Sequence, residues 1–262
     1  MAVDPILLAG AAVLGLCVGS FLNVCIVRLP VDQSLVRPPS SCPRCKRPIA
    51  WRDNIPVVSW LVLKGRCRHC REPISVQYPI IEAAGGVIWV GALLRYGVTP
   101  HALAAALFGT ILLGIAVTDA RHYLIPDEYT WGGLVLGLGL SFAGGAGGAG
   151  GVSGFRDAVL GAAAGFVLLF AVAQAGQWAF REEAMGGGDI KMMAMVGSFL
   201  GWKGVLLTVF LGALLGSLIF VPLSLRKKRL VPFGVFLALG AAVTFVFGDA
   251  IIAWYLHFLW GD

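Results

Sequence analysis

Residues 204–225 read GVLLTVFLGALLGSLIFVPLSL, an uncharged run with Lys203 before it and Arg226-Lys227-Lys228-Arg229 after it. A helix rises about 1.5 Å per residue, so a run of this length covers the roughly 30 Å of hydrocarbon in a bilayer. Seven more apolar runs accompany it, at about 6–27, 79–95, 101–118, 131–146, 157–180, 190–202 and 233–258. The chain of 262 residues is 58% apolar and only 13% charged, with mean hydropathy +0.84. Ordinary soluble domains carry about 25% charged residues. These features predict an all-α fold, a polytopic membrane bundle of about eight transmembrane helices. They exclude a soluble globule, a disordered chain, a collagen-like repeat and a disulfide scaffold. The 36 glycines fit a bundle in which backbones approach closely.

Two of the runs, 131–146 and 190–202, are short, and the first of these enters a Gly/Ala tract at 144–151 that reads as a flexible connection. The run at 6–27 has no basic region before it and no A-x-A cleavage site after it, so it reads as a spanning helix and not as a signal peptide. If eight spans alternate, the connections at 28–78, 119–130, 181–189 and 226–232 share one side of the membrane. With Lys191 at the same surface, that side holds 17 of the 20 Lys/Arg, leaving Arg95, Arg156 and Lys203 opposite. By the positive-inside rule this side is cytoplasmic and both termini lie outside. The net charge of +6 therefore reports orientation and calls for no nucleic-acid partner.

The sizeable polar segment, 28–78, holds Cys42-Pro-Arg-Cys45 and Cys67-Arg-His-Cys70. Two C-x-x-C knuckles at this separation can close a tetrahedral thiolate site around structural zinc. A segment too small to bury much core gains from such a staple. A redox pair and metal-free thiols are the other readings, while a cytoplasmic location argues against disulfides. His69 lies inside the second knuckle, either as a substitute ligand or as a surface residue. Cys17 and Cys25 fall in the first apolar run and read as small buried hydrophobes.

Two acids stand at the ends of apolar runs, where burial of charge is costly and points to function. Asp119 follows the third run in Val-Thr-Asp-Ala-Arg-His-Tyr-Leu-Ile-Pro-Asp, and Asp189 opens the sixth in Met-Gly-Gly-Gly-Asp-Ile-Lys-Met. A pair of carboxylates brought together can act as base and acid at once, one taking a proton from water while the other polarises a peptide carbonyl. The glycines before Asp189 would let a substrate backbone come close. The structural alternatives are a helix N-cap for Asp189 and an interfacial pair with Arg121 for Asp119. Asp127 and Glu128, just after Pro126, read as acids at a helix start, and Glu82 reads as a polar anchor or a site residue.

Taken in order, Gly19-Ser-Phe-Leu-Asn-Val before Arg28-Leu-Pro, the two knuckles around Asp53-Asn-Ile-Pro-Val-Val-Ser-Trp60, Tyr78-Pro-Ile-Ile-Glu82, Asp119 with Ile125-Pro-Asp127, Gly186-Gly187-Gly188-Asp189-Ile-Lys191 and Pro232-Phe-Gly234 resemble the bacterial type IV prepilin peptidases. The resemblance covers nearly the whole chain. Gly186, Gly188 and Asp189 are similar to the G-x-G-D signature of intramembrane aspartyl proteases.

That resemblance implies a membrane aspartic endopeptidase of the bacterial inner membrane. It would cut the short basic leader from type IV prepilins or type II secretion pseudopilins at the cytoplasmic face. Asp119 and Asp189 match the catalytic pair, and Gly186, Gly188 and Lys191 belong to the active-site loop. Many members also N-methylate the new N-terminal residue with S-adenosylmethionine, and the four-cysteine segment accompanies those members. The chain has no room for a soluble methyltransferase fold, and the donor site is not readable. The expected division is a first transmembrane helix at 1–27, a zinc segment at 28–78 and a peptidase bundle at 79–262. The competing readings are a peptidase without methylation, a non-catalytic zinc-ribbon scaffold, and a transporter, which would carry its acids near the midplane.

Overall fold

The computed structural model describes residues 3–143, 154–181, 185–224 and 232–260, and among them the regular elements are all helical. The Gly/Ala tract at 144–151 and Arg226-Lys227-Lys228-Arg229 lie outside the described residues. The chain divides into two compact units, Met1–Val98 and Thr99–Asp262.

In the first unit, α1 (Pro5–Arg28) starts under an Asp4 cap whose carboxylate accepts the Ile6 N–H at 2.8 Å, with Pro5 at the first helical position, where its missing N–H costs no bond. A 3-10 turn at Leu29–Val31 ends it. The polar segment that follows contains a turn at Trp51–Asp53, the short α2 (Val58–Val62) and two isolated bridges, Ser41 with Pro48 and Arg66 with Pro73. Then α3 (Gln77–Tyr96) returns along α1. Contacts between the two run in opposite order: Gly15 against Gly85, Gly19 against Glu82, and Asn23 against Tyr78, whose carbonyl accepts from Asn23 Nδ2 at 3.1 Å. A Cβ at Gly15 would stand 2.6 Å from the Gly85 carbonyl oxygen, so any side chain there would force the helices apart. Close backbone packing replaces the hydrophobic effect that lipid does not supply. Cys25 is buried as expected, but Cys17 is exposed, because it lies off the stripe that faces α3.

The second unit holds α4 (Pro100–His122), α5 (Asp127–Phe142), α6 (Phe155–Phe180), α7 (Gly187–Ser224) and α8 (Phe233–Trp260). Phe108 of α4 stacks on Phe199 of α7 at 4.5 Å and tilts against Phe245 of α8 at 5.4 Å, which fixes the centre of the bundle. Within α7, Gly201 leaves the helical region at φ 66, ψ 178. Before it, Met195 meets Gly133 and Phe199 meets Gly137, so this arm runs parallel to α5. After it, Thr208 meets Gly240 and Gly212 meets Leu237, so the second arm runs antiparallel to α8. The first arm and α8 both begin against Ile125, since Gly188 and Gly234 pack on it. The second arm therefore runs back toward that end, and Gly201 is the tip of a helical hairpin. Its arms are the runs expected at 190–202 and 204–225.

Among the described residues six helices, α1, α3, α4, α6, α7 and α8, are long and apolar enough to cross a membrane, and the protein is a multi-pass membrane protein. The 16-residue α5 reaches only about 24 Å at 1.5 Å per residue. The first arm of α7 is short for a similar reason and is enclosed instead: Met192, Met193, Met195, Val196, Phe199 and Leu200 have no exposed surface.

Candidate active site and metal centre

Asp119 sits in the last turn of α4 and is 5% exposed. The helix stops at Tyr123, which turns to φ 54 while its N–H bonds the Asp119 carbonyl at 2.9 Å. The chain then passes through Ile125 and Pro126 into α5. Asp119 Oδ2 accepts the backbone N–H of Val235, in the first turn of α8, at 3.1 Å, an N–H that the Pro232 carbonyl shares at 3.3 Å. A Cβ on Gly234 would lie 2.9 Å from Asp119 Oδ2 and 2.8 Å from Ile125 Cδ1, so the absence of a side chain at 234 is what lets the start of α8 reach the carboxylate.

Asp189 lies in the first turn of α7, inside a helix that begins at Gly187, and so is not the N-cap. Its N–H bonds the Gly186 carbonyl at 3.2 Å. The residue is half-buried and close enough to Asp119 for the two carboxylates to interact electrostatically. Gly188 also packs on Ile125, with a Cβ position 3.0 Å from Ile125 Cβ. Ile125 thus touches two glycines, Gly234 beside Asp119 and Gly188 next in sequence to Asp189. Gly186 stands in open space. Lys191 reaches both carboxylate oxygens of Asp127 at 2.7 and 2.8 Å and ties the start of α7 to the start of α5. Asp127 and Glu128 occupy the first turn of α5 as expected.

Ile125, Gly234 and Val235 complete the surroundings of the pair, and none is a candidate from sequence reasoning alone. The usable signal is Pro232-Phe-Gly234 opening an apolar run, which marks a helix start, but spacing does not say which acid that start meets. Glu82 takes the anchoring role: its carboxylate accepts the Val57 N–H at 2.7 Å.

In the first unit, the sulfur atoms of Cys42, Cys45, Cys67 and Cys70 all lie within 4.8 Å of one another and could hold a metal ion. Tetrahedral zinc with Zn–S near 2.3 Å places its sulfurs about 3.8 Å apart, and Cys42 Sγ lies 3.7 Å from Cys70 Sγ. The residues present therefore fit zinc. Both knuckles fold alike. Lys46 N–H bonds Cys42 O at 2.9 Å and Arg71 N–H bonds Cys67 O at 3.0 Å, with Lys46 and Arg71 both at positive φ. The sequence signal is a repeat, Ser-Cys-Pro-Arg-Cys-Lys-Arg-Pro-Ile at 41–49 and Arg-Cys-Arg-His-Cys-Arg-Glu-Pro-Ile at 66–74. Backbone N–H groups of Cys70, then of His69, pull the Cys67 thiol down to about 6, toward the thiolate that binds metal. His69 stays outside the cluster, its Nδ1 3.2 Å from Arg47 Nη1. Arg68 binds Asp53 through both carboxylate oxygens and holds the second knuckle to the turn before α2.

Residues 13–96 match the Bacterial Peptidase A24 N-terminal domain, and residues 106–221 match the Type IV leader peptidase family. A prepilin leader peptidase/N-methyltransferase of Aeromonas hydrophila is 34% identical over 92% of this chain and 91% of its own. The chain belongs to the type IV leader peptidase family. Relatives bearing the same name occur in Burkholderia pseudomallei, 36% identical over 92% of this chain and 85% of that one, and in Myxococcus xanthus, 41% identical over 84% of this chain. The chain spans 64% of the length of the Myxococcus relative. No solved structure matches it significantly. The interval between the two leader peptidase matches contains the boundary between the compact units at Val98 and Thr99.

Proposed function

We propose that this leader peptidase family member is an aspartic endopeptidase of the bacterial inner membrane that removes the basic leader from type IV prepilins or type II secretion pseudopilins. We further propose that it methylates the amine so released, with S-adenosylmethionine as methyl donor. The observation that carries the first part is that the end of α4 with Asp119 and the start of α7 with Asp189 converge on Ile125, which Gly188 and Gly234 both touch, and that this leaves the two acids within electrostatic reach. One carboxylate, ionised, takes a proton from water as it attacks the scissile carbonyl carbon. The other, protonated, donates a hydrogen bond to the carbonyl oxygen and then supplies a proton to the leaving amine. Gly186, which has open space where a side chain would stand, leaves room for the substrate backbone beside the pair.

The cytoplasmic placement rests on the same alternation of spans and Lys/Arg asymmetry that orients the chain. The peptidase chemistry is assigned to the unit Thr99–Asp262 and the metal to Met1–Val98. Zinc on Cys42, Cys45, Cys67 and Cys70 would close the two knuckles into one fold. The names of the relatives support methylation, and the chemistry orders the two steps, because the methyl-accepting amine exists only after cleavage.

Purified protein in lipid, given full-length prepilin with and without S-adenosylmethionine, is the test. Intact mass is expected to show leader loss in both samples and one added methyl group only with the donor. Leader loss without methylation would restrict the activity to proteolysis, and an unchanged substrate mass would refute both.

A further inference from the structure

The polar segment between α1 and α3 presents an apolar face to its surroundings where a water-facing module would hide one. Ile55 precedes α2, and Val58, Leu61 and Val62 follow at helical spacing on one side; Leu61 and Val62 are 61% and 70% exposed. The opposite side is engaged internally. Buried Ser59 donates to the Arg52 carbonyl at 3.0 Å and accepts the Ile55 N–H at 3.0 Å, while Trp60 Nε1 donates to the Ile74 carbonyl at 3.2 Å. Ser59 therefore fastens the neighbouring turn Trp51–Asp53 to α2, and Trp51 on that turn is 84% exposed.

The height of this face is fixed by one hydrogen bond. The Val57 N–H at the start of α2 donates to Glu82 Oε2 at 2.7 Å, and Glu82 belongs to α3, a helix long and apolar enough to span the membrane. Glu82 is five residues into that helix from Gln77, or about 7.5 Å at 1.5 Å per residue. The apolar side of α2 is thereby held at the level where α3 enters the bilayer. An exposed aliphatic patch with a tryptophan beside it at that level has lipid for its neighbour.

Charge identifies the lipid. Residues 29–76 carry nine Lys/Arg, all exposed, against Asp32, Asp53 and Glu72. Among the described residues Arg68 alone of the nine forms an ion pair, with Asp53. We propose that α2 and the Trp51 turn form a membrane-surface contact, with Val58, Leu61 and Val62 entering the interface and the surrounding Lys/Arg binding anionic lipid headgroups. On the proposed function above, the other candidate occupant is the prepilin. Its leader is basic, so the same charges repel it. The lipid contact itself does not depend on that activity.

The test is hydrogen exchange on the full chain in nanodiscs of phosphatidylcholine alone or with about one-third phosphatidylglycerol, with no substrate present. Amides of 55–64 are expected to exchange about fivefold or more slowly in the anionic discs, the scale of one surface cation, and to lose that difference near 1 M salt, where screening acts within about 3 Å. The double substitution Leu61→Ser with Val62→Ser should remove the protection. Both side chains are exposed, so amides around Cys42 and Cys45 should exchange as before and report an intact fold. Equal exchange in the two lipids, or protection that arises only on adding prepilin, would overturn the proposal. Cleavage is read in neither arm, so failure here is distinct from failure of the peptidase assignment.

Discussion

The backbone N–H of Val235 donates to Oδ2 of Asp119 at 3.1 Å, joining positions 116 residues apart. This bond makes the start of α8 part of the aspartate site, although the leader peptidase family match ends at residue 221. It also supplies a sensitive test, because the approach depends on a missing side chain. Gly234→Ala would place a Cβ 2.9 Å from the carboxylate oxygen and displace it. Cleavage is expected to fall by about 10²-fold, the scale of an ångström-sized misplacement. Turnover of a prepilin peptide measures it, and an unchanged rate would mean that Asp119 does not need this neighbour.

The Lys191–Asp127 pair should matter less. Its side chains are 34% and 56% exposed, so water screens the attraction and the pair contributes no more than about 1 kcal/mol. Asp127→Asn is therefore expected to keep cleavage within about fivefold of the parent protein. Abolition of cleavage by that substitution, in a protein that still folds, would promote Asp127 to the reacting pair.

Much of this was legible in sequence because membrane helices need length and apolarity, both countable, and because each knuckle carries its ligands within four residues. Asp119 and Asp189 stood out since acids at span ends are costly. What escaped depended on contacts between distant elements: Gly234 on Asp119, Ile125 on two glycines, and Lys191 on Asp127. Burial of Cys17 was overestimated for a related reason, because an apolar run does not say which of its faces meets a partner. The hairpin at Gly201 was half legible: a short run at 190–202 followed by a second run implied a break, but only the neighbours on either arm give the reversal.

That reversal has its own test. Gly201 sits at φ 66, ψ 178, a region open essentially to glycine. Gly201→Val is expected to cost about 1–3 kcal/mol in backbone strain and to lower the thermal midpoint of the detergent-solubilised protein. A midpoint equal to the parent's would show that the chain does not turn there as described.

The cysteine cluster is expected to hold one zinc per chain, lost on chelation and on Cys→Ser substitution at 42, 45, 67 or 70. Cys70, which a Glu72 N–H pulls down but burial and the neighbouring thiols push up to about 11, must give up a proton to zinc across the whole range, and a further dependence comes from the Cys67 thiol, held down to about 6 by N–H groups of Cys70 and His69. Above that value the ligand is already a thiolate, and zinc displaces no proton from it. As pH falls through about 6, protons compete for Cys67 and apparent affinity drops an additional tenfold or so per unit. Elemental analysis after dialysis across this range checks it, and zinc retention indifferent to pH would contradict the assignment of Cys67 as a ligand.

The central claim is that Asp119 and Asp189 together perform the hydrolysis. It is tested most directly by the intact mass of full-length prepilin after incubation with purified Asp119→Asn and, separately, Asp189→Asn protein. Each amide keeps the shape of the side chain while removing its proton exchange. Both variants are expected to leave the prepilin mass unchanged while matching the parent in thermal midpoint. Leader loss at a near-parental rate with either variant would contradict the assignment of the pair.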